Sequence, residues 1–386
     1  MRERWSGRER RPDFDIAAMM RAFIFGLASA VLLGICPAIS APVGEIHRVT
    51  TEPTAALRDA RHRDELRITV WYPAAADAVE RPLLIGPPDK PFFNVGATAL
   101  GAAFADHQQR PVILLSHGYG GTARIMGWFG LAMAQRGYIV IAVDHPGSNG
   151  IDEITMAGST LWWDHARDLH TALDAIGRDP AIGPHVDMNN VGVAGFSFGG
   201  FTALVAAGAR VDWRRWVGFC RAHPDDGDCL PNDEFPEATW QAIAKEFEAP
   251  ELTAEVAHAG DDHSLPNIRA AFVLAPAYVQ SLDPNSLVSV RVPVSIMLGD
   301  ADTVVPAATG ASVAAAAIPN AKLDLLPGVT HYDWVAECTD AGRDASPVCK
   351  EARHQAEAHS RAIEAAGKLF GQALPNRDGS RGSSVQ

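Results

Sequence analysis

Along this chain, short apolar runs alternate with segments whose apolar positions recur every three or four residues. Runs of four to eight apolar residues read as buried strands, and the longer period reads as one-sided helices. Residues 65–72 alternate and are rich in β-formers, which predicts an early strand ending in Val70-Trp71-Tyr72-Pro73. Residues 111–116 and 138–143 predict two more strands, separated by a helix over 125–136 that Gly137 stops. Trp162, Ala166, Leu169, Leu173 and Ile176 share one helical face. A strand over 191–194 runs into Gly195, and a helix follows over 201–209. Strands are expected again at 270–274, 292–298 and 322–326, with an alanine-rich helix at 307–318 and a closing helix at 351–369. No internal repeat is visible. Strand–helix alternation of this kind predicts an α/β architecture: a mostly parallel sheet of about eight strands, helices on both faces, and right-handed crossovers.

The regular pattern fails over 210–267, which holds Trp213, Trp216, Trp240, two cysteines and an acidic cluster of Asp225, Asp226, Asp228, Asp233 and Glu234. An insertion at this point predicts a lid over a site at the strand ends, its tryptophans shaping the acyl or alcohol pocket, the alternative being a lateral decoration. The acidic cluster lacks the spacing of an EF-hand loop and reads as solvated surface. Residues 376–386 read as a disordered tail.

Composition adds compartment and partner class. With 386 residues, 47% hydrophobic and 20% charged, the chain is that of a globular protein with one large domain, expected over 42–375. A net charge of −13 argues against nucleic acid or anionic membrane surfaces as partners. Arg21 precedes an apolar run over 22–36, too short to span a bilayer, and small residues follow to Ala41. Residues 1–41 therefore read as an N-terminal extension and signal peptide, with Met19 or Met20 as the working start and a short anchor as the alternative. Ile35 is too large for a lipoprotein box ending at Cys36, and Arg10-Arg11 lies far from the apolar run. The expectation is a secreted or periplasmic protein with no membrane span after cleavage. Removing Cys36 leaves Cys220, Cys229, Cys338 and Cys349, an even number in an oxidising compartment, for which local pairing asks least of the fold, with Cys349 opening the closing helix. No zinc spacing is present, and no metal or cofactor is expected.

The chemistry gathers at Gly195-Phe196-Ser197-Phe198-Gly199, a G-x-S-x-G pattern between a strand and a helix. That context makes Ser197 a nucleophile on a tight turn, with a helix N-terminus behind it. A serine hydroxyl needs a base, and the base an orienting acid. His331 is the histidine that follows the last strand, downstream of an acid placed after its own strand; His117 and His145 lie upstream of the serine and are expected to buttress loops. Asp300 and Asp302 compete for the acid. Asp302, further out on its loop, is preferred, with Asp300 suited to holding the loop together. Two backbone N–H groups are needed for a developing oxyanion, and Phe198 and Tyr119 are the candidates.

Together Val70-Trp71-Tyr72-Pro73, Ser116-His117-Gly118-Tyr119-Gly120-Gly121, Asp144-His145-Pro146-Gly147-Ser148 and the serine motif resemble the α/β-hydrolase superfamily. Within it they are similar to the predicted dienelactone hydrolases and the platelet-activating-factor acetylhydrolase-like esterases. The resemblance implies the α/β-hydrolase fold and a metal-free carboxylic ester hydrolase working through an acyl-enzyme on a small-molecule or lipid-like ester. The chain departs from the plasma-type acetylhydrolases at Leu274-Ala275-Pro276-Ala277, where it has no carboxylate, and from true dienelactone hydrolases in having serine for cysteine. A peptidase of the same fold, or a catalytically silent binding module built on it, are the competing expectations.

Overall fold

The computed structural model describes residues 41–231 and 233–375; the expected signal segment and tail lie outside these. Eleven strands form the sheet: β1 (Val43–Thr51), β2 (Glu65–Pro73), β3 (Arg81–Ile85), β4 (Phe93–Leu100), β5 (Arg110–Ser116), β6 (Ile139–Asp144), β7 (Val186–Phe196), β8 (Ile268–Leu274), β9 (Val294–Gly299), β10 (Ala321–Leu326) and β11 (Glu337–Cys338). Their order is β10-β9-β8-β7-β5-β6-β2-β1-β4-β11, with β3 paired to β4. From β10 to β6 every pairing is parallel, while β2 joins β6, and β1 joins β2, antiparallel. The sheet is thus wider than the eight strands expected. The sequence reading missed β1, β3, β4 and β11. Their exposed, polar or glycine-broken stretches, such as Val49 and Gly96, do not make apolar runs.

The inner parallel strands β5, β6, β8 and β9 and the second half of β7 are buried on both faces, which is why their sequences are mostly apolar; edge strand β10 is half-exposed. Helices α1 (Gly127–Ala134), α2 (Asp164–Arg178), α3 (Phe198–Ala206), α4 (Trp213–Ala222), α5 (Ala311–Ala317) and α6 (Gln355–Ala373) are the main ones. Connection β5–α1–β6 runs one way along the sheet and β6–α2–β7 the other. Right-handed crossovers therefore place α1 and α2 on opposite faces. In agreement, α1 packs with α6, and α2 with α3. Phe129 of α1 stacks on Phe272 of β8 at 5.6 Å, and Phe370 of α6 meets the same ring edge-on at 6.5 Å, forming one side of the core. Among the described residues, no helix is long and apolar enough to cross a membrane.

Reversal of strand order beside β5 leaves a crevice at the carboxyl edge, where α/β sheets bind ligands. The loops after β5, β6, β7, β8, β9 and β10 all leave from that edge.

Burial also sets the acid response. His117 is held down to about 3, mainly by burial, and His359 to about 4; His165 lies well below its ordinary value for the same reason. For these groups the unfolded chain takes up a proton near pH 6.5, while the fold resists it until much lower. Asp164 and Asp228 are pushed up by burial, to about 6 and about 7, and Asp144, Glu234 and Glu246 are raised for the same reason; these oppose the trend, to which His185 and His263 add. Burial would also raise Asp168 and Glu45, yet Arg58 and His145 bring Asp168, and His47 and Arg124 bring Glu45, down to about 2. Stability held by these two carboxylates is present above about pH 4 and lost as pH falls through about 2. The melting temperature should therefore fall steeply below about pH 4. His359→Gln should make the melting temperature at pH 5, relative to that at pH 7, higher than in the wild type, because a group that resists protonation is removed. A melting temperature that held level as pH fell from 4 towards 2 would contradict this reading.

Candidate functional site

Ser197 sits between β7 and α3 with φ +55° and ψ −116°, a conformation a side-chain-bearing residue rarely adopts. Two contacts explain its flanking glycines. A Cβ on Gly195 would lie 2.0 Å from the Gly199 carbonyl oxygen, and one on Gly199 would lie 2.1 Å from that of Ser116. The turn is pinned from both sides: the Ser197 N–H donates to the Leu274 carbonyl at 2.8 Å, and the Ser197 carbonyl accepts from Phe201 and Ala277, both at 3.1 Å.

His331 reaches this turn from the loop after β10. Its Nε2 lies 3.0 Å from Ser197 Oγ, and its Nδ1 lies 2.8 Å from Asp302 Oδ2. All three side chains are buried or nearly so. The other Asp302 oxygen accepts the N–H groups of Val304 and Val305 at 3.0 and 2.9 Å, so the carboxylate is fixed at both ends. Asp300 faces elsewhere: its Oδ1 accepts the Gly328 N–H at 2.7 Å, tying the β9 and β10 exits together. Asp333, a residue the sequence reading passed over, anchors the histidine loop. It caps Thr330 through Oδ2 at 2.8 Å and accepts the N–H groups of Arg353 and His354 through Oδ1, both at 2.6 Å.

The β5 exit loop closes the third side. A Cβ placed on Gly118 would be 3.2 Å from that of Ser197, so the backbone passes close by. Tyr119 sends its hydroxyl to Ser159 Oγ at 2.6 Å and its ring edge-on to Phe198 at 5.9 Å. Neither the Tyr119 N–H nor the Phe198 N–H has an acceptor among the described residues.

Two hollows flank Ser197. A small one of about 20 Å³ lies between Tyr119, Phe198, Asp228, Tyr278 and Val305. A cleft of about 240 Å³ runs over Phe93, Phe196, Tyr332, Val335 and Val348, with Glu234 on its border. A hollow of about 740 Å³ on the insertion, beside Trp213 and Phe247, touches none of these groups. Among the described residues, no three His, Cys, Asp or Glu side chains gather as a metal site.

Three expectations change here. The tryptophans of 210–267 do not line the hollows at Ser197: Trp216 is buried against Trp162 and Tyr278, and Trp213 stacks on Phe247. It is Gly227, Asp228, Leu230 and Glu234 that reach the site. The acidic cluster is accordingly not all solvated, because Asp228 is buried and accepts the Tyr278 N–H at 3.2 Å. Cys349 does not open the closing helix; it lies in a separate short helix, Pro347–Glu351, before α6.

Cys220 is bonded to Cys229 and Cys338 to Cys349, the local pairing. The second bond joins β11 to the helix that carries Val348, so it backs one wall of the cleft.

The chain can be laid on a ferulic acid esterase from Streptomyces cinnamoneus with a TM-score of 0.58, covering 91% of this chain and 96% of that one at 18% identity. The fold is that of the α/β-hydrolases. A family model described as serine aminopeptidase, S33, matches residues 107–226, the part of this hydrolase fold that runs from the approach to β5 through the serine turn into the insertion. No curated protein matches the chain in sequence.

Replacing Cys338 and Cys349 together by serine should cost at most about 3 kcal/mol of stability. It should speed amide hydrogen exchange over residues 338–351 more than in the parallel strands, because the wall at Val348 loosens. Unchanged exchange over that stretch would separate the disulfide from the cleft. Mass spectrometry of an unreduced digest should show both local pairs.

Proposed function

We propose that this protein is a serine hydrolase of carboxylic esters, with Ser197 as nucleophile, His331 as general base and acid, and Asp302 as the acid that orients the imidazole. The observation that carries the reading is the unbroken chain Ser197 Oγ, His331 Nε2, His331 Nδ1, Asp302 Oδ2, at 3.0 and 2.8 Å, on a strained turn at a helix N-terminus. As Ser197 Oγ attacks the ester carbonyl, His331 Nε2 takes its proton, and Asp302 stabilises the imidazolium. The carbonyl oxygen becomes an oxyanion, for which the free N–H groups of Tyr119 and Phe198 are the donors. Collapse of the tetrahedral intermediate breaks the bond to the alcohol oxygen, which receives the proton from His331 Nε2. A water molecule, deprotonated by the same nitrogen, then attacks the acyl-enzyme. Loss of the acid restores Ser197.

Ester rather than amide chemistry is favoured by the cleft, whose walls are mostly apolar and aromatic, with Glu234 at the border and no lysine or arginine among the lining residues to clamp a peptide carboxylate. The superposed neighbour is by name an ester hydrolase. The peptidase alternative draws on the aminopeptidase description of the matching family model. Residues 210–267 act as a partial lid through the stretch from Gly227 to Glu234. Two disulfides support an exported protein acting on a small-molecule or lipid-like ester. The motif resemblance supports a kinship with the dienelactone hydrolase-like and acetylhydrolase-like esterases.

On p-nitrophenyl esters the enzyme should turn over, while matched p-nitroanilides should react at least about 10³-fold more slowly, on the order of a single strong transition-state interaction. Ser197→Ala and His331→Ala should each lower kcat by about 10⁴ to 10⁶, with the double variant little worse. Asp302→Asn should be severe and Asp300→Asn mild. A reversed order of the two aspartates, in folded protein, would move the acid to Asp300; faster anilide than ester cleavage would make the enzyme a peptidase.

A further inference from the structure

Beneath the β5 exit loop lies a second serine–histidine–aspartate chain, wholly buried. Ser116 Oγ is 2.8 Å from His145 Nε2, and His145 Nδ1 is 2.8 Å from Asp168 Oδ2. Arg58 holds both oxygens of Asp168 in a fork at 2.7 and 2.8 Å. With its charge fixed by that guanidinium, Asp168 can only accept, so His145 Nδ1 donates to it, and Nε2 faces Ser116 Oγ. All four side chains are sealed from solvent, and no substrate can reach this serine.

The chain continues through the backbone. The His145 N–H donates to His117 Nε2 at 3.1 Å. That bond assigns the tautomer, because Nε2 must carry the lone pair and Nδ1 the hydrogen. The Nδ1–H donates in turn to the Gly118 carbonyl at 2.7 Å, which also accepts the Gly121 N–H at 2.9 Å. Burial keeps His117 neutral, at about 3, so both bonds persist across the working pH range. In a trans peptide the carbonyl and the next N–H point in opposite directions. Drawing the Gly118 carbonyl inward to His117 therefore turns the Tyr119 N–H outward, to the side where Tyr119 borders both hollows at Ser197.

We propose that His117 is a positioning residue for catalysis: held by the buried Arg58–Asp168–His145 chain, it fixes the Gly118–Tyr119 peptide plane so that the Tyr119 N–H meets the oxyanion. The inference rests on the serine-hydrolase reading above, but it names a requirement that reading does not contain. The two ring nitrogens have separate duties. Nε2 secures the loop to β6, which is a matter of stability, and Nδ1 orients the peptide, which is a matter of turnover.

Amide substitutions divide the two. Asparagine can place its amide nitrogen near Nδ1, and glutamine its amide oxygen near Nε2. His117→Asn should keep kcat on p-nitrophenyl acetate within about tenfold of wild type while lowering the melting temperature. His117→Gln should keep the melting temperature closer to wild type yet lower kcat by about 10² to 10³, the cost of losing one oxyanion donor, with KM little changed. Inhibition by phenylboronic acid, whose adduct with Ser197 places an oxygen at the oxyanion position, should weaken in parallel with kcat for His117→Gln only. Turnover is counted per site titrated to completion with a fluorophosphonate, so misfolded protein does not enter. Equal kcat for the two variants, or kcat following melting temperature in both, would overturn the proposal. A wild-type enzyme that neither hydrolyses the ester nor takes up the fluorophosphonate would instead overturn the serine-hydrolase reading beneath it.

Discussion

The turn at Ser197 is the constraint on which the rest of the structure depends. A non-glycine residue held at φ +55° costs on the order of 1–3 kcal/mol, and it persists only where its surroundings over-determine it. Here they do so through the hydrogen bond from its N–H to Leu274, the two bonds to its carbonyl, and the contacts of Gly195 and Gly199 with backbone on either side. Those partners come from β5, β8 and α3, so the turn exists only because the parallel sheet brings three strand ends to one edge. Strain in this position does a specific thing: it lifts the hydroxyl off the strand and leaves the first N–H of α3 without an acceptor.

Around that turn the protein builds the same serine–histidine–aspartate geometry twice and gives it two uses. In the pair facing the hollows, Asp302 is held by backbone N–H groups, and His331 lies on a loop that opens to the cleft. In the sealed set, Asp168 is clamped by a guanidinium, and His145 is packed against the ring of His165 at 3.8 Å. Access, not hydrogen-bond pattern, divides them, since a hydroxyl that no ester can approach has nothing to attack. The buried set instead gives rigidity to a glycine-rich loop that would otherwise be free to turn its peptide planes.

Much of this was legible in the sequence because it rests on local chemistry. Buried parallel strands write continuous apolar runs, as at β5 and β6, and the serine turn writes its own glycines. Of the two aspartates, the one further beyond the strand end, Asp302, is the one whose carboxylate meets His331. What could not be read depends on contacts between distant segments. Strands β1, β3, β4 and β11, at one side of the sheet, have half-exposed patterns. Asp228 and Asp333 are buried because loops fold over them, and Asp228 stood in the sequence among four other acids. The tryptophans of the insertion misled for the same reason: large aromatic rings near a site are as readily used to hold an insertion together as to line a pocket. Only Trp162, Phe247 and Tyr278, far apart in the chain, show that they do the former.

The most direct measurement of the central claim is intact-mass analysis after reaction with a fluorophosphonate, followed by peptide mapping. The account predicts one adduct per chain, placed on Ser197, absent in Ser197→Ala and strongly slowed in His331→Ala. No adduct on the folded protein, or an adduct on another serine, would contradict it.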